Sequence, residues 1–151
     1  MSLPLAERVR PKTLSEYIGQ KHLVGEGAIL RQMIESGNLS SFILWGPPGV
    51  GKTTLARIIA HELERPFYTL SAVTSGVKEV RDVIDKAKRE AKINSGLFAA
   101  QTDQRSPILF IDEIQEEEAA IPMLRYFYEE APWLYVIAAG SRLQSLVTLQ
   151  L

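Results

Sequence analysis

The chain has 151 residues, 46% of them hydrophobic and 23% charged, with a formal net charge of −1, which is the composition of one globular domain rather than of a disordered chain. The absence of cysteine argues against disulfides and thiolate metal sites, and the presence of only two histidines argues against a histidine-rich metal centre. No apolar run reaches membrane-spanning length, and the charged N-terminus does not fit a signal peptide, so the expected location is cytoplasmic and away from membranes.

The first 40 residues are predicted to form an N-terminal strap and a short helix, ahead of a core domain over residues 41–151. Residues 1–26 show little hydrophobic periodicity and contain several prolines and glycines, so we expect an irregular strap that wraps rather than packs. A short helix is expected between Gly27 and Gly37. Its apolar side would be formed by Ile29, Leu30, Met33 and Ile34.

The next element joins a hydrophobic strand, Phe42–Trp45, to the sequence GPPGVGKT. The spacing G-x-x-x-x-G-K-T lets successive backbone N–H groups point at a phosphate chain, and its glycines allow a close approach to the ligand. Lys52 would reach the β and γ phosphates in binding and catalysis, and Thr53 would offer a hydroxyl to Mg²⁺ at the start of a helix. The alternative is a Gly- and Pro-rich turn without a ligand.

The pattern therefore predicts a site for a nucleoside triphosphate with Mg²⁺, and we expect ATP as the cofactor. The predicted nucleotide-binding residues of this loop are Gly46, Pro47, Pro48, Gly49, Val50, Gly51, Lys52, Thr53 and Thr54.

Helices and strands are predicted to alternate after the loop. A helix over residues 54–63 precedes a strand over residues 67–70, and a longer helix capped by Thr74 or Ser75 follows. The inward positions of that helix recur every three or four residues, at Val77, Val80, Ile84, Ala87 and Ala91. Residues 93–106 read as a polar loop of unusual length.

A third hydrophobic strand follows Pro107 and ends in two carboxylates, Asp112 and Glu113. Asp112 would hold Mg²⁺ through the water shell of the metal, and Glu113 would activate the water that attacks the γ phosphate. An acidic strand end is common in α/β proteins, but this one follows a phosphate loop along the chain. The pair favours a hydrolysing ATPase over a kinase or a small GTPase.

The last predicted elements are a helix from about residue 119 or 121 to residue 130, with Pro122 in its first turn, and a fourth strand over residues 133–139. Strands that alternate with helices predict a parallel sheet between two helical layers. With the phosphate loop, the expected fold class is α/β, a three-layer P-loop NTPase.

The chain resembles the AAA+ ATPases, and residues 4–92 resemble their clamp-loader-like branch of replication-associated recombination ATPases. The matching stretches are PLAERVRPKTLSEYIGQKHLVGEG, SSFILWGPPGVGKTTLARIIA and FYTLSAVTSGVKEVRDVIDKAK. The resemblance implies ATP hydrolysis by a homo-oligomeric ring in DNA replication, recombination or repair at forks, with DNA as a partner. It also implies a strap that closes over the adenine, which makes adenine-site candidates of Arg10, Pro11, Ile18 and Gly19.

Beyond residue 106 the resemblance changes, and residues 107–142 resemble a different group of prokaryotic AAA ATPases through DEIQ, LRYFYEE and VIAAGS. The charge pattern changes in the same region, because no lysine occurs after Lys92. One hypothesis is that two related ATPase halves meet near residues 93–106. The other is that the chain is a divergent single lineage and that its acidic residues form a solvated face.

The resemblance further implies a polar sensor residue after the fourth strand, and Ser141 is the candidate. A fifth strand, an arginine finger and a helical lid are implied too, but residues 141–151 do not accommodate them, so we expect an incomplete core with the loop-bearing strand at its edge. Three functions remain open: a DNA-directed ATPase, an ATP-binding module with little turnover, and an ATPase unrelated to forks.

Overall fold

The computed structural model describes residues 3–17, 19–47, 49, 51–95, 106–114 and 120–141. The elements in chain order are α1 (Leu5–Arg8), α2 (Lys21–Val24), α3 (Ile29–Ser36), β1 (Phe42–Trp45), α4 (Lys52–Glu62), β2 (Phe67–Ser71), α5 (Val77–Ser95), β3 (Ile108–Asp112), α6 (Ala120–Glu130) and β4 (Tyr135–Gly140). In this part of the chain, no helix is both long and apolar enough to span a membrane.

The strands form one parallel sheet in the order β1-β4-β3-β2. Ile137 lies opposite Phe42 of β1 and Phe110 of β3, and Ile108 lies opposite Phe67 of β2. Because parallel strands run in the same direction, their carboxyl ends all meet at one edge of the sheet. Among the described strands, β1 and β2 lie at the two sides of the sheet and β4 separates β1 from β3.

Helices cover both faces of this sheet. On one face, Val80 and Ile84 of α5 and Phe127 of α6 are buried in a common core with the strands. On the other face, Leu30 of α3 and Leu55 of α4 pack against the strands in a second core. The strands are sandwiched between apolar layers, which explains the unbroken burial of the first four residues of β3. The predicted three-layer α/β fold is confirmed.

The largest differences between predicted and observed element boundaries are in three places. Helix α4 begins at Lys52, two residues early, because Gly51 takes the N-cap position in a left-handed conformation. Helix α5 continues to Ser95, so it includes the first residues of the predicted loop, most of which lies outside the described residues. Strand β4 begins at Tyr135, because Leu134 donates a hydrogen bond to the carbonyl of Ala131 in a turn.

Two predicted details of the helices are wrong. Ile29 and Val77 are 60% and 70% exposed, so neither takes part in the apolar face assigned to it. Helix α5 is preceded by Gly76 rather than capped by Thr74 or Ser75. The Gly76 N–H donates to the carboxylate of Glu79 at 2.8 Å, which is the acidic half of a capping box.

The N-terminal strap is more ordered than its composition predicts. It contains the one-turn helices α1 and α2, and its second part packs against the core through Leu14, Tyr17 and Val24. The Leu14 N–H donates to the Glu62 carboxylate at 3.2 Å, which ties the strap to the end of α4. The expectation of a strap that wraps without packing is therefore wrong for this part. The boundary at residue 40 stays a prediction.

Candidate functional site

The phosphate loop connects the carboxyl end of β1 to the first turn of α4. The Gly46 N–H donates to the carbonyl of Gly140 at 3.2 Å, which attaches the start of the loop to β4. Gly49 and Gly51 have φ angles of +82° and +93°, a region that side chains with a Cβ rarely adopt. These two glycines bend the backbone so that the loop ends at the amino end of α4. That end carries unpaired N–H groups and a partial positive charge.

Lys52 is the first residue of α4, and its side chain lies across the loop. Its ammonium group donates a short hydrogen bond to the carbonyl of Gly46 and a second, of 3.1 Å, to the carbonyl of Pro47. Neutral carbonyls are weaker acceptors than phosphate oxygens, which form charge-assisted hydrogen bonds. A phosphate chain in the loop would therefore compete successfully for this ammonium group.

The two carboxylates predicted for hydrolysis lie where β3 ends. One Asp112 carboxylate oxygen accepts the N–H of Glu113 at 2.9 Å, and the Asp112 carbonyl accepts the N–H of Ala72 at 2.9 Å. Glu113 has a φ of +57° and is exposed, whereas Ile114, the next residue, is 1% exposed. The left-handed turn directs the Glu113 side chain outward while Ile114 anchors the backbone. Such a conformation costs about 1–2 kcal/mol in a residue other than glycine.

The strand order brings the predicted residues to one edge of the sheet. The loop follows β1, Ser141 follows β4, and Asp112 ends β3, so Ser141 lies between the other two positions. Neighbouring strands are about 4.8 Å apart, so β1, which leads into the loop, and β3, which ends at Asp112, lie about 10 Å apart. A triphosphate with its metal and an attacking water would bridge this separation.

The oxygen ligands near the loop fit Mg²⁺. Thr53 is half-buried in the first turn of α4 and offers a hydroxyl, while Asp112 is half-buried and offers a carboxylate. Both are hard oxygen ligands of the kind that Mg²⁺ prefers, and Mg²⁺ also keeps waters and takes phosphate oxygens. The described residues contain no group of three or more acidic or histidine side chains that would hold a metal on its own.

A cleft of about 130 Å³ adjoins the loop. The residues that line it are Tyr17, Gln20, Leu23, Leu44, Trp45, Gly46, Pro47, Lys52 and Leu55. Three of them, Tyr17, Gln20 and Leu23, come from the strap, so the strap does reach the loop. None of these three was among the predicted site residues, although Tyr17 and Gln20 flank the predicted Ile18 and Gly19.

Three of the four adenine-site candidates are among the described residues. Gly19 has a φ of +101° and forms part of the turn before α2. Arg10 pairs with Glu7 at 3.4 Å, and neither Arg10 nor Pro11 lines the cleft. Ile18 lies outside the described residues, as do Pro48 and Val50 of the loop. The roles of these residues stay predictions.

We expect Gly51→Ala to destabilise the protein by about 2 kcal/mol, because the left-handed backbone adds about 1 kcal/mol and a close contact adds about as much. An added Cβ would lie 3.1 Å from the Tyr17 hydroxyl oxygen. Gly37 is the matched control, since its φ is +73° and an added Cβ would meet nothing within 4 Å. Urea unfolding would measure both variants, and an equal loss in the two would contradict the contact.

Residues 42–121 match the ATPase family associated with various cellular activities (AAA). The matched region runs from β1 through the loop and β3 into the start of α6. It therefore contains Lys52, Thr53, Asp112 and Glu113.

The chain is also similar to curated proteins. Replication-associated recombination protein A of Escherichia coli is 46% identical over 124 residues, which are 79% of this chain and 26% of that protein. The protein of the same name from Haemophilus influenzae is 44% identical with the same coverage. ATPase WRNIP1 of Dictyostelium discoideum is 48% identical over 111 residues, which are 74% of this chain and 12% of that protein. This chain thus spans about a quarter or less of the length of these relatives.

Among solved structures, the chain is similar to the Thermotoga maritima RuvB Holliday junction branch migration motor. The TM-score is 0.62 at 30% sequence identity, and the match covers 93% of this chain and 44% of that one. A mutant of the same RuvB protein gives a TM-score of 0.64 at 27% identity, covering 93% of this chain and 45% of that one.

Proposed function

The chain belongs to the ATPase family associated with various cellular activities, and from this premise we propose that it binds Mg²⁺-ATP at the loop of residues 46–53 and hydrolyses it. One observation carries the proposal. Lys52, Asp112, Glu113 and Ser141 lie at a single edge of the parallel sheet, where β1, β3 and β4 end.

The loop would bind the phosphates through its backbone and through Lys52. The left-handed Gly49 and Gly51 let N–H groups face the anion, and the amino end of α4 adds its partial positive charge. Lys52 would exchange its two carbonyl acceptors for phosphate oxygens. Thr53, through its hydroxyl, and Asp112, through its carboxylate, would hold Mg²⁺. When bound, Mg²⁺ would neutralise charge that develops on the phosphates during transfer.

Glu113 would act as the general base for the attacking water. Its side chain is exposed at the strand end and lies one residue beyond the metal-side carboxylate, so a water can reach it without displacing Asp112. The carboxylate would accept a proton from the water as the oxygen attacks the γ phosphorus and the bond to the β-phosphate oxygen breaks. Ser141 would hydrogen-bond a phosphate oxygen or the water from its position between loop and acids.

We further propose a role in DNA replication or recombination, through an oligomeric ring whose ATP hydrolysis responds to DNA. The support is the 46% identity with a protein named for replication-associated recombination. Helix α5 presents exposed Lys78, Arg81 and Lys88 as a candidate DNA-binding face, although Asp82 and Asp85 interrupt its positive charge. A cytoplasmic location is part of the same proposal.

ATP turnover measured with and without forked or single-stranded DNA tests this role. We expect DNA to raise the turnover severalfold, and we expect the effect to fall as salt is increased, because phosphate contacts release counterions. An ATP turnover rate that DNA does not change would support an ATPase unrelated to forks. Saturable ATP binding without turnover under any condition would support the alternative of an ATP-binding module, and would contradict hydrolysis.

A further inference from the structure

We propose that Tyr17 is a positioning residue for the phosphate loop: its ring holds the backbone of Gly51 in the shape that receives a phosphate chain. The inference rests on the proposed function, because it concerns the same site. In this proposal the strap supports binding of the phosphates rather than of the base.

The contact between Tyr17 and Gly51 is close and specific. A Cβ built on Gly51 would lie 3.1 Å from the Tyr17 hydroxyl oxygen, 3.4 Å from Cε2 and 3.6 Å from Cζ. The outer end of the ring therefore leaves little room for a side chain at residue 51. Gly51 has a φ of +93°, and its carbonyl accepts the Leu55 N–H at 2.9 Å as the first hydrogen bond of α4. The ring supports the bend on which the direction of Lys52 depends.

Hydrogen bonds of the strap backbone tie the segment that carries the ring to α4. The Tyr17 N–H donates to the carbonyl of Leu14 at 3.2 Å, and the Leu14 N–H donates to the Glu62 carboxylate at 3.2 Å. Glu62 is the last residue of α4, whereas Gly51 caps its first turn, so this short stretch of strap reaches both ends of the helix. An 11-residue helix is about 16 Å long. Both strap side chains also pack against the core that contains Leu55.

The chemistry of the ring suits a supporting role. Burial raises the pKa of the Tyr17 phenol above its ordinary value, so the side chain stays neutral around neutral pH. A neutral aromatic ring next to a phosphate site adds no charge of its own. Glycine has the most backbone freedom of any residue type. The rigid ring would restrict the backbone of Gly51 and so reduce this freedom in the loop. Losing the ring would leave the loop to be ordered by the ligand, at a cost in affinity.

The test compares three variants for binding of Mg²⁺-ATP and of Mg²⁺-tripolyphosphate, which has the phosphates but no base. Tyr17→Ala is expected to weaken both ligands about tenfold, and Tyr17→Phe is expected to stay within about twofold of the wild type, since it keeps the ring. Val24→Ala is the matched control. It also removes an apolar strap side chain from the same core, so it should lower the urea midpoint but leave both affinities within about twofold.

Tyr17→Leu carries the same comparison where the alanine variant does not fold, because it keeps apolar bulk without a ring that reaches Gly51. A loss confined to Mg²⁺-ATP would mean that Tyr17 contacts the base, and it would overturn the inference. So would equal binding of tripolyphosphate by the wild type and Tyr17→Ala, or no binding of tripolyphosphate by the wild type. A wild type that does not bind Mg²⁺-ATP would instead count against the proposed function.

Discussion

Replacing Lys52 with alanine is expected to weaken Mg²⁺-ATP binding by about a hundredfold or more. The ammonium group would make charge-assisted hydrogen bonds to phosphate oxygens, and two such bonds at about 1.5 kcal/mol each correspond to more than a hundredfold in affinity. The fold should tolerate the change, because the partners of the Lys52 ammonium group among the described residues are two loop carbonyls. Isothermal titration with Mg²⁺-ATP measures the effect.

Lys78→Ala is the matched control for Lys52→Ala. Lys78 is exposed near the start of α5, so its removal changes the net charge equally without touching the loop. Its affinity for Mg²⁺-ATP should stay within about twofold of the wild type, since exposed charges are screened over a Debye length of about 8–10 Å. Equal affinities in Lys52→Ala and the wild type, with both proteins folded, would sink the assignment of Lys52 to the phosphates.

Glu113→Gln is expected to lower ATP turnover by about a hundredfold or more while Mg²⁺-ATP binding stays within about twofold. General base catalysis contributes about 10²–10⁴ in rate, and the amide cannot accept the proton of the attacking water. The backbone is unaffected by the change, because the hydrogen bond to Asp112 comes from the Glu113 N–H and not from its side chain. Steady-state turnover and titration together separate the chemical step from binding.

The control for the second variant is Glu130→Gln, which removes an exposed carboxylate at the end of α6, away from the strand ends that form the site. Its turnover should equal that of the wild type. Turnover in Glu113→Gln that matches Glu130→Gln would show that Glu113 is not the base. Weaker binding with unchanged turnover at saturation would instead assign Glu113 to the metal or the phosphates.

The sequence predicted the elements around the loop because their signals are local. The four apolar residues of β1 match the observed strand residue for residue, and β2, β3 and α6 agree within one or two positions. The spacing of Gly46, Gly51 and Lys52 is itself the feature that shapes the loop. The strand order could not be obtained in this way, because the hydrogen bonds between strands join residues far apart in the chain.

The strap was predicted poorly for the same physical reason. Nothing in its sequence repeats with a helical or strand period, and its order comes from contacts with residues much later in the chain. Leu14 is held by Glu62, and Tyr17 by its packing around Gly51, more than 30 residues away. The Arg10 side chain pairs locally with Glu7, and its role at the adenine stays a prediction. Gln20 and Leu23 line the cleft because the strap packs there, and no sequence pattern marks them as site residues.

The central claim is that the loop of residues 46–53 binds a triphosphate together with Mg²⁺. Titration of the wild-type chain with ATP, in the presence of Mg²⁺ and again with excess chelator, tests it most directly. We predict saturable binding at one site per chain, with a dissociation constant below about 1 mM in Mg²⁺ and a clear loss of affinity with the chelator. An absence of saturable binding at millimolar Mg²⁺-ATP, by a chain shown to be folded, would contradict the claim.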